Sequence, residues 1–190
     1  MTKYYRLALA VTVLATSITT SQSMASEASL TLSNKSAYAK VSGSPDPSRY
    51  NLGAGYLYHK GARHVLDLNG HAQGQTALGN YPTTTGIGIK TLFFKQDELE
   101  GQAVGLGGYA AVNIPEIPGF SVYGSLHYAP SITSFSDADG VSSLELEGRY
   151  RVIKNADVKL GYRHLKSRLE ESSKSLTLDS GAYLGVNLHF

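Results

Sequence analysis

The feature that most limits the fold is a two-residue rhythm. In Val141 to Val152, one parity holds Ser142, Leu144, Leu146, Gly148, Tyr150 and Val152. The other holds Val141, Ser143, Glu145, Glu147, Arg149 and Arg151. A β-strand turns successive side chains to opposite faces, so this stretch is apolar on one face and charged on the other. Val158, Leu160 and Tyr162 stand against Asp157, Lys159 and Arg163 in the same way. At the chain end, Ala182, Leu184, Val186, Leu188 and Phe190 stand against Gly181, Tyr183, Gly185, Asn187 and His189. An amphipathic helix repeats at three and four residues, a spacing these stretches lack.

The rhythm predicts eight strands, at 50–60, 63–73, 84–95, 101–114, 119–129, 141–152, 156–168 and 180–190. Most are near ten or eleven residues long, the length of tilted strands that cross an outer membrane; soluble strands average about five or six. Gly53, Gly55, Gly86, Gly88, Gly105 and Gly107 fall mostly on the polar face, as a narrow interior requires. The 190 residues suit one domain, and 42% hydrophobic content argues against disorder. With no Cys there is no disulfide framework, thiolate metal site or cysteine nucleophile. Lys plus Arg is 17 against 15 Asp plus Glu, without the basic excess of a nucleic-acid binder.

Alternation alone does not say which face meets what. A soluble sandwich buries its apolar face, whereas a membrane barrel turns that face to lipid. Residues 1–25 read as a cleaved signal peptide: Lys3 and Arg6 precede the apolar run Leu7–Ala15, and Ser23-Met24-Ala25 supplies small residues for cleavage. The run is too short to span a bilayer, which needs about 20 residues. Aromatics sit at strand ends on the apolar face. Tyr50 and Tyr58 bracket the first predicted strand, and Phe120 and Tyr128 the fifth. Tyr150 and Phe190 extend a periplasmic ring, Tyr162 and Phe93 an outer one. Such girdles mark the interfaces of a membrane barrel. Connections tend to alternate short and long, as in outer-membrane barrels; Lys60–Arg63 is short where a loop is expected, and Gly74–Thr83 is long where a turn is expected.

The chain closes on Tyr183-Leu184-Gly185-Val186-Asn187-Leu188-His189-Phe190. Tyr183, Gly185, Leu188 and Phe190 resemble the C-terminal signal that presents bacterial outer-membrane barrels to their assembly machinery. Both termini then belong in the periplasm, which an even number of strands satisfies. Residues 26–49 are left over; they read as a periplasmic or plugging segment, with an extra strand and a ten-strand barrel as the alternative. Gly119-Phe120-Ser121-Val122-Tyr123-Gly124, Tyr128-Ala129-Pro130, Val158-Lys159-Leu160-Gly161-Tyr162-Arg163 and Asp179-Ser180-Gly181-Ala182-Tyr183-Leu184-Gly185-Val186, in that order, resemble the YfaZ family of small outer-membrane proteins. The resemblance implies location and fold rather than chemistry.

Charges facing a narrow interior must be paired. An antiparallel hairpin turning about Lys154 places Arg151 opposite Asp157, Glu145 opposite Arg163 and Arg149 opposite Lys159, with Glu147 diagonal to the last pair. Asp67, Arg63 and Lys90 are candidates from other strands. A closed salt-bridge plug is the expected state and a narrow ion path the alternative. For catalysis, Ser125 and His127 share a strand face that Glu145 could approach, and His59, His71, His127 and His189 point inward, without metal-ligand spacing on one element. The expectation is therefore an all-β, closed antiparallel up-and-down transmembrane barrel in the cell outer membrane over 50–190, with a structural or narrow-passage role. No catalysis and no cofactor are expected. A lipid-modifying hydrolase and a soluble periplasmic binding protein are the alternatives. The implied partners are outer-membrane lipids and lipopolysaccharide, the barrel-assembly machinery and periplasmic chaperones. No nucleic acid is expected; the oligomeric state is left open, with a monomer favoured.

Overall fold

The computed structural model describes residues 25–169 and 172–190; the expected leader lies outside them except for Ala25. Eleven strands follow in chain order: β1 Ala25–Leu32, β2 Ser36–Ser44, β3 Tyr50–His59, β4 Arg63–Leu78, β5 Tyr81–Gln96, β6 Leu99–Asn113, β7 Phe120–Ala129, β8 Ser134–Ser136, β9 Ala138–Ile153, β10 Ala156–Leu169 and β11 Ser172–His189. All pairings are antiparallel. Ten strands run in sequence around a ring that closes where β1 pairs with β11. One circuit along the hydrogen-bonding rows displaces the chain by about 12 residues, which for ten strands corresponds to a tilt of about 40°. The eleventh strand, β8, pairs with Gly101–Ala103 and covers the edge of β6 that rises past the end of β7.

The strand count corrects the expectation of eight. Residues 26–49 are not a plug: they contain most of β1 and all of β2, which are paired to each other and to β11 and β3. Their outward residues Ala28, Leu30 and Leu32, then Ala37, Ala39 and Val41, do alternate. Half of them are alanine, so the apolar contrast is weak. Gly74–Thr83 is likewise not a loop. β4 and β5 pair out to Leu78 and Tyr81, leaving Gly79-Asn80 as the turn, with Gly79 at a φ of 62°. Polar side chains on both faces of that extension hid it from a hydropathy reading. The stretches read as loops at 95–101 and 166–179 are also largely strand, carried through register shifts on β11.

The wall is inverted relative to a soluble domain. Leu160 is 61% exposed and Leu126 60%, whereas Glu147 and Lys159 on the opposite face are 3% and 4% exposed. Only a surrounding of acyl chains accommodates an apolar belt on every side of a closed barrel. Among the described residues, no helix is long and apolar enough to cross a membrane.

Candidate functional site: the barrel interior

The interior has two layers. One lies at the end away from the termini, here called the loop end. On β3 and β5 the alternation fails there because both faces are apolar. Leu57 points inward between the outward Tyr56 and Tyr58, and Leu92 and Phe94 point inward on either side of Phe93. Val65, Val141, Leu165 and Leu178 join them from other strands, all 4% exposed or less. This cluster crosses the barrel at the level of Tyr58, Phe93 and Tyr128. A solvated ion in contact with such side chains would lose its water without replacement, although His59 and Asp179 are buried at the same end.

Beneath it lies a charged layer. Register places Glu145 opposite Arg163, Arg149 opposite Lys159 and Arg151 opposite Asp157. Arg163 donates through Nη2 to Glu145 Oε1 at 2.8 Å, and its Nη1 lies 3.5 Å from Asp179. Its guanidinium sits between the rings of Tyr38 and Tyr183, at 4.2 and 4.6 Å. Such stacking holds a planar cation while leaving its N–H edge free for carboxylates. Glu147 accepts from Lys159 at 2.9 Å and from Arg149 at 2.6 Å. Arg149 in turn lies 4.2 Å over the ring of Tyr123, which stacks on Tyr109. Nearest the terminal end, Asp157 is bonded by Arg151 at 2.9 Å and by His189 at 2.7 Å.

Two tyrosines that sequence reasoning did not assign to this network tie it together. The hydroxyl of Tyr183 lies 2.9 Å from Glu145 and 2.7 Å from Glu147, sharing its single proton between them. Tyr183 reaches across β10 because residue 161 is glycine: a Cβ there would lie 2.6 Å from the ring. Tyr38 donates to Asp67 at 3.0 Å. Tyr183 was read only as part of the assembly signal, and Tyr38 lay in the segment read as a plug; inward tyrosines facing inward glycines were the available clue.

The other candidates fall into place around these layers. Lys90 lies 3.9 Å from Asp67, and Arg63 donates to the carbonyl of Thr177 at 2.7 Å. His59 lies 4.0 Å from Asp179. Ser125 pairs across strands with Glu145, but His127 is bonded to His71 at 2.8 Å, and its Nδ1 has no partner. Ser125, His127 and Glu145 therefore form no relay. Among the described residues no group of three metal-ligating side chains converges. The girdle residues Tyr50, Tyr58, Phe93, Phe120, Tyr128, Tyr150, Tyr162 and Phe190 all lie on the outward face. Phe120 pairs directly with Tyr150, while Tyr162 sits opposite Leu146 with its hydroxyl 3.1 Å from Ser180. Of the assembly-signal residues, Gly185 faces inward with Tyr183, and Leu188 and Phe190 face out.

A closed barrel with an apolar exterior and an ion-paired interior defines a small outer-membrane β-barrel protein. The chain matches the family described as YfaZ precursor over residues 2–190. It belongs to the YfaZ family. No curated protein matches it. Among solved structures it is similar to the outer membrane channel DcaP of Acinetobacter baumannii, with 12% identity over 85% of this chain and 54% of that one and a TM-score of 0.45. It is also similar to a bacterial polysaccharide outer membrane secretin, with 12% identity over 82% and 55% and a TM-score of 0.45. A BenF-like porin from Pseudomonas fluorescens Pf-5 follows at 8% identity over 82% and 54%, with a TM-score of 0.27. The chain spans about half the length of each.

Proposed function

We propose that this barrel is a sealed structural element of the outer membrane rather than an open pore. One observation carries the reading: Leu57, Val65, Leu92, Phe94, Leu165 and Leu178, from five different strands, form one buried apolar cluster inside the loop end of the barrel. The charged layer beneath it supports the same conclusion. Its carboxylates are already occupied by internal cations, so a permeating ion would have to displace bonds of 2.6 to 2.9 Å. The terminal end faces the periplasm, where the new amino terminus is left after export. The loop end faces outward. Hydrolysis is disfavoured because His127 is engaged with His71 and Glu145 with Arg163 and Tyr183. The protein acts without a cofactor and as a monomer, with membrane lipid and lipopolysaccharide around it. Its closing strand is recognised by the barrel-assembly machinery after periplasmic chaperones deliver the chain.

Reconstitution in a planar bilayer tests this. The purified protein is expected to give no steady conductance. A steady ohmic current, with an ion preference altered by Glu145→Ala or Arg163→Ala, would establish a pore instead.

A further inference from the structure

We propose that the outward face of β10 at the loop end holds the phosphate of an outer-leaflet lipid headgroup. His164, Lys166 and Arg168 follow at every second residue and so share the face turned to lipid, while Leu165 and Ser167 between them, and Arg163 before them, are buried. Lys166 pairs with Ser142, which pairs with the girdle residue Tyr128. The column therefore stands at and just beyond the outer aromatic ring, the depth at which headgroups replace acyl chains.

The column is built rather than merely cationic. Arg168 lies across β9 and donates through Nη2 to the Tyr128 hydroxyl on β7 at 3.2 Å. It can lie there because residue 140 is glycine: a Cβ would sit 2.8 Å from that nitrogen. His164 is fixed through Nδ1 by Ser180 at 3.1 Å. Holding a guanidinium by one nitrogen leaves its remaining N–H groups in a fork that fits phosphate. Among the described residues no carboxylate pairs with Lys166 or Arg168, whereas Lys95 on the same rim is paired with Glu100. A cation pair at headgroup depth with no counter-ion among the described residues is completed by an anion anchored in the same leaflet.

The inference rests on the proposed orientation, and one measurement separates the two. The chain has no cysteine, so Gly61→Cys introduces a single thiol in the turn between β3 and β4. A membrane-impermeant maleimide should label it on intact cells; absence of labelling would reverse the orientation without bearing on phosphate binding. The site itself is tested on the purified barrel in detergent by native mass spectrometry with diphosphoryl lipid A, its dephosphorylated form, and inorganic phosphate. Diphosphoryl lipid A should be retained by the wild type, and Lys166→Gln/Arg168→Gln should weaken it about tenfold or more, as loss of charge-assisted bonds implies. If the double variant does not fold, Lys166→Gln alone, which removes no hydrogen bond among the described residues, should still weaken retention. Equal retention of the dephosphorylated lipid, or undiminished retention by the folded variant, would overturn the proposal. Inorganic phosphate competing at equal concentration would show a free-anion site and overturn it as well.

Discussion

Inside the barrel, Nε2 of His71 and Nε2 of His127 lie 2.8 Å apart, joining β4 to β7 over the two strands between them. The four strands share one ladder row: His71 pairs with Gly88, Gly88 with Gly107, and Gly107 with His127. The rings meet over the two glycines, and a Cβ on Gly107 would lie 2.8 Å from the His127 ring. A bond between two like nitrogens requires one to carry the proton and the other to offer its lone pair. Two neutral imidazoles in this contact are therefore opposite tautomers. In histidine-labelled protein refolded in detergent, long-range nitrogen–proton spectra should show one ring protonated at Nε2 and one at Nδ1. Two rings both protonated at Nε2 would contradict the contact, and Gly107→Ala should abolish it.

Glu147 is the centre of the charged layer, since Lys159, Arg149 and Tyr183 all bond to it. Glu147→Ala leaves buried Lys159 and half-buried Arg149 without their counter-ion; breaking a buried pair in this way typically costs about 3–5 kcal/mol. Removing both partners of a pair costs less than removing one. Glu147→Gln/Lys159→Met should therefore be more stable than Glu147→Ala. Urea unfolding followed by the heat-dependent gel shift measures the order, and a double variant weaker than Glu147→Ala would show that Lys159 is not the dominant partner.

The apolar cluster at the loop end should be the barrier to ions. Phe94→Ala removes a side chain that is 3% exposed and packed over Gly101. Substitutions of this kind destabilise by about 3–5 kcal/mol and leave a cavity. Combined with Leu92→Ala, it should give bilayer currents where the wild type gives none. A silent double variant that remains folded would move the barrier down into the charged layer.

The register of the 145–163 hairpin was legible because its two strands alternate cleanly and opposite charges must meet. Arg151 with Asp157 and Glu145 with Arg163 follow from matching opposite charges on the inward faces; the turn itself pairs Ile153 with Ala156, and a one-residue register shift before Asp157 brings the charges into line. The cluster of Leu57, Val65, Leu92 and Phe94 was not legible as an interior layer. Where both faces are apolar, as in Leu92-Phe93-Phe94, hydropathy carries no orientation, and the loss of rhythm toward one end of several strands is the only sign. The expectation of eight strands rather than ten failed for a related reason. Ala37 and Ala39 offer little apolar contrast, and the Ser44-Pro45-Asp46-Pro47 break falls at a genuine turn between β2 and β3, which looked like the end of structure. The His71–His127 bond lies outside any pairwise reading, because it joins strands that do not touch.

The β1–β2 hairpin supplies the sharpest test of the barrel's size. Removing residues 26–44 preserves the up-and-down order, since β3 and β11 would still run antiparallel. It also removes Tyr38, one of the two rings that enclose Arg163, and the β1 partner of β11 along Glu27–Leu32. The remaining eight strands would have to close around an interior whose size falls roughly with strand number, yet would still contain Glu145, Glu147, Arg149, Lys159, Arg163 and the apolar cluster. Most of those side chains are buried in the present lumen and would have to fit a smaller one. The deleted chain should therefore give no heat-modifiable species and remain protease-sensitive in membrane fractions. A folded, heat-modifiable product would mean that 26–44 is dispensable to closure and that an eight-strand barrel is stable on its own.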